Sequence, residues 1–182
     1  MVRRHSHQPS TIHRILISTH YTLATEIEHK YLFINDSYMQ GYNRRKYLRQ
    51  GYLTTQPACT LRVRITDTQS YITIKGENKG ASRAEYEFEI DTATAQSMLD
   101  TMCHTPIIEK HRYLYEYKGH TWEIDHFYGE NEGLVVAEIE LSDENETYEL
   151  PPFVGRNVTG IARYYNSCLS QRPYTTWDDE EK

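Results

Sequence analysis

The chain's 182 residues suffice for one domain with a sizeable core and fall short of two comfortable ones. Hydrophobic residues make up 38% and charged residues 25%, mean hydropathy is −0.75, and no run approaches the ~20 apolar residues of a membrane-spanning helix. The net charge of −6, from 20 basic and 26 acidic side chains, argues against wrapping a long nucleic acid and leaves room for a small polyanion in a local basic pocket.

Residues 1–25 stand apart. They carry Arg3, Arg4 and Arg14, no acid, and four of the nine histidines, so residues 26–182 hold −9 against their +3. Ile15-Leu16-Ile17 is far shorter than a signal-peptide core of roughly 7–15 apolar residues. The segment reads as a disordered or non-native extension, with the fold expected over 26–172 and an acidic tail over 173–182. Cys59, Cys103 and Cys168 are odd in number and widely spaced. They imply neither a disulfide framework nor a metal site, and the expected setting is a reducing cytoplasm.

From residue 25 onward the chain reads as strands over 25–34, 48–54, 60–67, 70–76, 84–91, 109–117, 121–127 and 134–142, parted by turn residues such as Gly76 to Gly80 and Gly129 to Gly133. The abundance of Tyr, 16 against 4 Phe and 2 Trp, suits such a β-rich chain. Ala95, Met98, Leu99 and Met102 recur at helical spacing and predict a helix over 92–103. Short helices are expected near 36–46, 153–157 and 162–170.

Alternate residues of a strand face opposite sides. Glu26, Glu28 and Lys30 share one face of their strand, opposite Ile27 and Tyr31. Arg62 and Arg64 oppose Leu61, Val63 and Ile65, and Lys75 opposes Ile72 and Ile74. Glu85 and Glu87 oppose Ala84, Tyr86 and Phe88, while Lys110 pairs in parity with Arg112. Glu123 and Asp125 oppose Trp122 and Ile124, and Glu138 and Glu140 oppose Ala137, Ile139 and Leu141.

A solvated face usually mixes its signs, because neighbouring like charges repel. Here whole faces are acidic or basic, which makes sense if they look inward across a closed barrel. About eight strands enclose room for one small ligand. The expected fold is therefore a β-rich α+β domain, a closed antiparallel eight-stranded barrel with a few helices covering its apolar exterior. At an effective dielectric near 20, two like charges about 4 Å apart cost roughly 4 kcal/mol. An interior so charged needs ions of both signs to neutralise it.

Carboxylate oxygens suit Mg²⁺ or Mn²⁺, and clustered Arg and Lys suit phosphate oxygens, so the ligand is expected to be an oligophosphate. Phosphoryl transfer asks mainly for positioning, charge neutralisation and an in-line water.

The segments that carry these charges also resemble a known family. E-I-E-H-K at 26–30 is similar to the E-x-E-x-K signature of the CYTH, or triphosphate tunnel metalloenzyme, superfamily. R-Q-G-Y-L at 49–53, L-R-V-R at 61–64, I-T-I-K-G at 72–76 and S-R-A-E-Y-E at 82–87 continue the match in order. So do E-K-H-R-Y at 109–113, W-E-I-D at 122–125, A-E-I-E-L at 137–141 and V-T-G-I-A-R-Y-Y-N at 158–166. The resemblance is strongest to the bacterial inorganic tripolyphosphatase branch.

It implies a tunnel that hydrolyses a small-molecule triphosphate with Mg²⁺ or Mn²⁺, without nucleic acid or membrane as partner. By the same resemblance Glu26, Glu28, Glu138 and Glu140 would hold metal. Lys30, Arg62, Arg64, Lys75, Lys110, Arg112 and Arg163 would bind phosphate. Asp125, with Glu123 beside it, would serve a second metal or the attacking water, placing these two with Lys110 and Lys30 in the catalytic group. Glu85 and Glu87 would either anchor the arginines or join a metal shell, and Tyr52 would close one tunnel mouth. The alternatives are a class IV-like adenylyl cyclase, a thiamine triphosphatase, and a polyphosphate- or nucleotide-binding sensor without turnover.

Overall fold

The computed structural model describes residues 22–56, 58–77 and 82–182, the side chains of 22–26 and 82 excepted. Among them are nine strands: β1 (Thr22–Phe33), β2 (Arg44–Gln56), β3 (Cys59–Ile65), β4 (Ser70–Gly76), β5 (Ser82–Ile90), β6 (Ile108–Tyr117), β7 (His120–Phe127), β8 (Val135–Leu141) and β9 (Val154–Asn157). Two α-helices join them, α1 (Thr92–Thr101) and α2 (Asn166–Leu169). β1 starts inside the segment set aside as an extension; residues 1–21 of that segment lie outside the described residues. No helix among the described residues is long and apolar enough to cross a membrane.

The strands form one antiparallel sheet in the order β5-β4-β3-β2-β6-β7-β8-β1-β9. The first half of β1 also pairs with β5, from Thr22 opposite Glu87 to Ile27 opposite Ser82. Its second half pairs with β8, from Ile27 opposite Leu141 to Leu32 opposite Val136. Nine strands stand where eight were expected. Residues 153–157, expected as a helix, instead lay β9 along the end of β1, with Val154 opposite Phe33. The expected helix over 36–46 is a 3₁₀ turn at Asp36–Gln40, capped by Asn35 Oδ1 accepting from the Ser37 amide at 3.0 Å. The chain is already extended by Arg44.

The registers put the charges on one face. Lys30 lies opposite Glu138, Arg112 opposite Asp125, Arg62 opposite Thr73 and Lys75 opposite Glu85. The other face is apolar and makes the core. Tyr31, Tyr113, Trp122, Ile124 and Ile139 cluster there with Tyr38 of the 3₁₀ turn and Phe153. Around the sheet, α1 covers β3 and β4 by burying Ala95 and Leu99 against Val63. Its start is fixed by Asp91, whose carboxylate accepts from the Thr94 amide at 2.9 Å.

The C-terminal segment does a different job from the exterior covering expected of it. Tyr52, Ile108, Phe127 and Val136 share the inward parity of the charged residues, and they pack in one apolar cluster with Val158, Tyr164, Leu169 and Trp177. That end of the charged face is thus covered by side chains.

Close approach makes Gly51 on β2 intolerant of a side chain. A Cβ there would lie 2.7 Å from Cys103 Cβ and 2.9 Å from Ile107 Cδ1. Gly51→Ala is expected to destabilise the fold by about 1–3 kcal/mol through overpacking, measurable by urea unfolding; an unchanged midpoint would show that the α1–β6 connection gives way freely.

Candidate active site

Two groups of side chains line the charged face. In the first, β6, β7, β8 and β1 contribute. Arg112 donates through Nε to Asp125 Oδ1 at 2.7 Å and through Nη2 to Asp125 Oδ2 at 2.6 Å and Glu138 Oε2 at 2.7 Å. Its Nη1 also contacts Glu123. The Lys30 ammonium meets Glu28 at 2.8 Å and contacts Glu138 as well. Lys110 contacts Asp125. In the second group, from β3, β4 and β5, Glu87 accepts from Arg64 at 2.9 Å, Thr73 at 2.8 Å and Arg62 at 3.4 Å. Glu85 meets Lys75 at 3.2 Å.

Between the groups lie two cavities that share Arg112 as a wall. One, of about 520 Å³ out to its opening, is bounded by Lys30, Arg62, Lys75, Arg83 and Glu138. The other, of about 730 Å³, is bounded by Arg64, Lys46, Tyr71, Glu87 and Glu123. Arg62 Nε and Arg64 Nε are buried donors that meet no acceptor among the described residues. A buried N–H without a partner is costly, and an anionic oxygen would satisfy either of these two.

Burial and charge pull against each other throughout the site. Burial opposes ionisation of Glu138, yet Lys30, Arg112 and Lys110 hold its carboxyl far below the usual range. Burial would depress Lys30, and Glu138 with Glu28 reverses this and keeps its ammonium charged well above the ordinary value. Arg64 is lowered to about 10, first by burial and then by Arg62. Burial raises the Tyr52 hydroxyl to about 12, so it stays protonated, and it receives a hydrogen bond from Gln50 Nε2 at 3.1 Å.

Lys110 behaves differently from Lys30. Burial, with Arg112 nearby, lowers it to about 8 despite Asp125. A lysine depressed when folded loses its proton earlier than in the unfolded chain, so between about pH 8 and 10.5 the unfolded state holds more protons. This group's contribution to stability therefore rises with pH across that window, by at most ~1.4 kcal/mol per pH unit. The stability of the wild type relative to Lys110→Met is expected to grow between pH 8 and 10, as read from denaturant midpoints; a falling difference would reverse the assigned shift.

Of the residues expected at the site, Glu28, Lys30, Arg62, Arg64, Lys75, Glu85, Glu87, Arg112, Glu123 and Glu138 lie on the walls of the two cavities or pair with residues that do. Tyr52 lies there as well, buried in the cavity wall. Lys110 and Asp125 sit behind Arg112, 1% and 0% exposed, and line neither cavity. Glu140 is exposed and opposite Glu28, beside Glu123 on a rim cavity. Arg163 is apart from the others, stacked on Tyr164 and Trp177 with its centre 5.0 and 5.1 Å from their rings. The Glu26 side chain lies outside the described residues.

Arg83, Lys46 and Asn166 are among the cavity residues that escaped the sequence reading. Arg83 shares parity with Glu85 and Glu87, so alternation alone would have found it. Lys46 was hidden in a segment expected to be helical. Asn166 has no periodic signal at all, because a short helix carries it to the cavity.

A hard divalent ion fits this donor set. The Glu28 and Glu138 carboxylates already converge on one cationic atom, Lys30 Nζ, and every carboxylate near it offers oxygen alone. No group of three or more His, Cys, Asp or Glu among the described residues is arranged to hold a metal by itself. An ion here would complete its shell with substrate oxygens and water, as Mg²⁺ commonly does.

The model of the CYTH domain family matches residues 24–166. An inorganic triphosphatase of Acetivibrio thermocellus is 43% identical over 157 residues, covering 86% of this chain and all of that protein. An inorganic triphosphatase of Nitrosomonas europaea is 37% identical over 150 residues, covering 80% of this chain and 97% of its own. A crystal structure of an inorganic triphosphatase superposes with a TM-score of 0.60 at 34% identity, covering 81% of this chain and 95% of that one.

Proposed function

This chain belongs to the CYTH domain family, and from that premise we propose that it hydrolyses triphosphate compounds, cleaving inorganic tripolyphosphate to pyrophosphate and phosphate with Mg²⁺ or Mn²⁺. The observation that carries the reading is the pair of unpartnered buried donors, Arg62 Nε and Arg64 Nε, on the wall of an interior already rich in lysine and arginine. The relatives named above support the same substrate class. We read the sheet as wrapping into a closed tunnel around this interior; the pairing of β5 with β1 supports it.

In this reading Lys30, Arg62, Arg64, Lys75 and Arg112 hold the phosphates in line and neutralise charge on the equatorial oxygens as water displaces the leaving phosphate. Glu87 and Glu85 hold Arg62, Arg64 and Lys75 in place. Asp125 and Lys110 do not reach the cavities, so they position Arg112 from behind. Glu28 and Glu138 would hold the metal, with Glu26 and Glu140 beside them on β1 and β8. The metal, when bound, supplies phosphate charge neutralisation and a more acidic water.

Phosphate release from tripolyphosphate, ATP and thiamine triphosphate, each with Mg²⁺ and then Mn²⁺, tests the proposal. Tripolyphosphate is expected to be the preferred substrate. Clear preference for an organic triphosphate would overturn that choice, and pyrophosphate from ATP without free phosphate would mark a cyclase.

A further inference from the structure

β1 changes partner midway along its length. Its pairing with β5 ends at Ile27 opposite Ser82, and its pairing with β9 begins at Tyr31 opposite Asn157. Among the described residues no strand is paired with Lys30 on that side, while β8 flanks it on the other with Glu138 opposite. A residue in a strand turns its N–H and C=O the same way, and buried backbone groups need partners.

Thr159 closes this gap with its side chain. The Lys30 amide donates to Thr159 Oγ1 at 2.9 Å, and the same hydroxyl reaches the Lys30 carbonyl oxygen at 3.4 Å. The Val158 amide donates to that carbonyl at 2.8 Å. A hydroxyl both accepts and donates, so one side chain stands in for a missing strand neighbour.

The clasp is itself held. The Thr159 amide donates to Asn157 Oδ1 at 2.8 Å. Val158 is fully buried in the apolar cluster that includes Tyr52 and Ile108. Gly160, at a φ of 78°, turns the chain beyond it, and the same segment goes on to place Tyr165 and Asn166 on the wall of the first cavity.

What the clasp holds is the root of Lys30, whose ammonium meets Glu28 and Glu138 on that wall. A lysine's reach starts from its Cα, and a reacting group displaced by about 1 Å can lose up to ~100-fold in rate.

We propose that Thr159 is a positioning residue. Its hydroxyl fixes the backbone of Lys30 and thereby sets the ammonium where substrate phosphate meets it, although Thr159 lines neither of the two cavities. This rests on the triphosphatase reading, from which Lys30 takes its role, and adds a residue that acts through it.

Thr159→Val keeps the shape of the side chain and removes the hydroxyl. It is expected to lower kcat/KM for tripolyphosphate by at least ~10-fold, raising KM and lowering kcat together, and to weaken metal-free calorimetric binding by at least ~5-fold. Thr159→Ser, which keeps the hydroxyl, should recover most of both losses. In a Lys30→Ala background Thr159→Val is expected to cost less than ~2-fold more, because nothing is left to position. Melting curves accompany each variant, and Thr159→Ala replaces Thr159→Val if the latter does not fold.

Wild-type kcat/KM in a folded variant without the hydroxyl would overturn the proposal. So would a loss of undiminished size in the Lys30→Ala background, which marks a general structural role, or a failure of serine to restore the site. If the wild type releases no phosphate from tripolyphosphate with either metal, the triphosphatase reading fails and calorimetry decides alone. A binding loss that vanishes without Lys30 then upholds the positioning role, and one that persists ends it.

Discussion

Lys30→Ala is expected to lower kcat/KM for tripolyphosphate by at least ~100-fold, raising KM and lowering kcat together. Lys30 is 3% exposed and its ammonium joins Glu28 to Glu138 on the wall of the first cavity. Removing it takes away a phosphate-binding cation and leaves two carboxylates facing each other without it. Breaking a buried ion pair on one side costs about 3–5 kcal/mol, and ~1.4 kcal/mol is tenfold in rate or affinity. Steady-state kinetics with a parallel melting curve separate loss of site from loss of fold. A folded Lys30→Ala enzyme with wild-type KM would show that the ammonium does not face substrate.

Glu138→Gln is expected to act on the other parameter. The substitution keeps shape and removes a charge that Lys30 and Arg112 hold fully ionised. Tripolyphosphate should bind as well as before or better, because the interior becomes more positive. Turnover should fall by ~100-fold or more, the size of effect seen when a group that stabilises transition-state charge is lost. Raising Mg²⁺ or Mn²⁺ should not restore it, and calorimetric metal binding should weaken. Wild-type turnover at millimolar Mg²⁺ would remove Glu138 from the metal site.

The charged face was legible in the sequence because a strand's period of two is rigid. Once Arg62 and Arg64 alternate with Val63 and Ile65, the face that the arginines share follows, and the registers set charged residues of β6, β7 and β8 side by side, Arg112 opposite Asp125 and Glu123 opposite Glu138. Periodicity could not show where a strand is short or interrupted. Residues 153–157 were expected as a short helix, yet β9 runs beside β1 there, with Gly155 so close to Ile34 that a Cβ would lie 2.6 Å from its Cγ2.

Nor could spacing reveal which members of an inward face touch solvent. Lys110 and Arg112 have the same parity, but only Arg112 reaches the cavities, because Phe127 and Ile108 fill the space around the deeper residue. Arg163 and Asn166 lie three residues apart in one segment, and tertiary packing alone sends the first to Trp177 and the second to the cavity wall.

The most direct test is a crystal structure of the full chain with linear tripolyphosphate. Phosphate oxygens are expected within hydrogen-bond reach of Arg62 Nε and Arg64 Nε, with Lys30, Lys75 and Arg112 around them. A ligand bound on the outer apolar face, with both donors still unpartnered and the interior empty of it, would contradict the assignment.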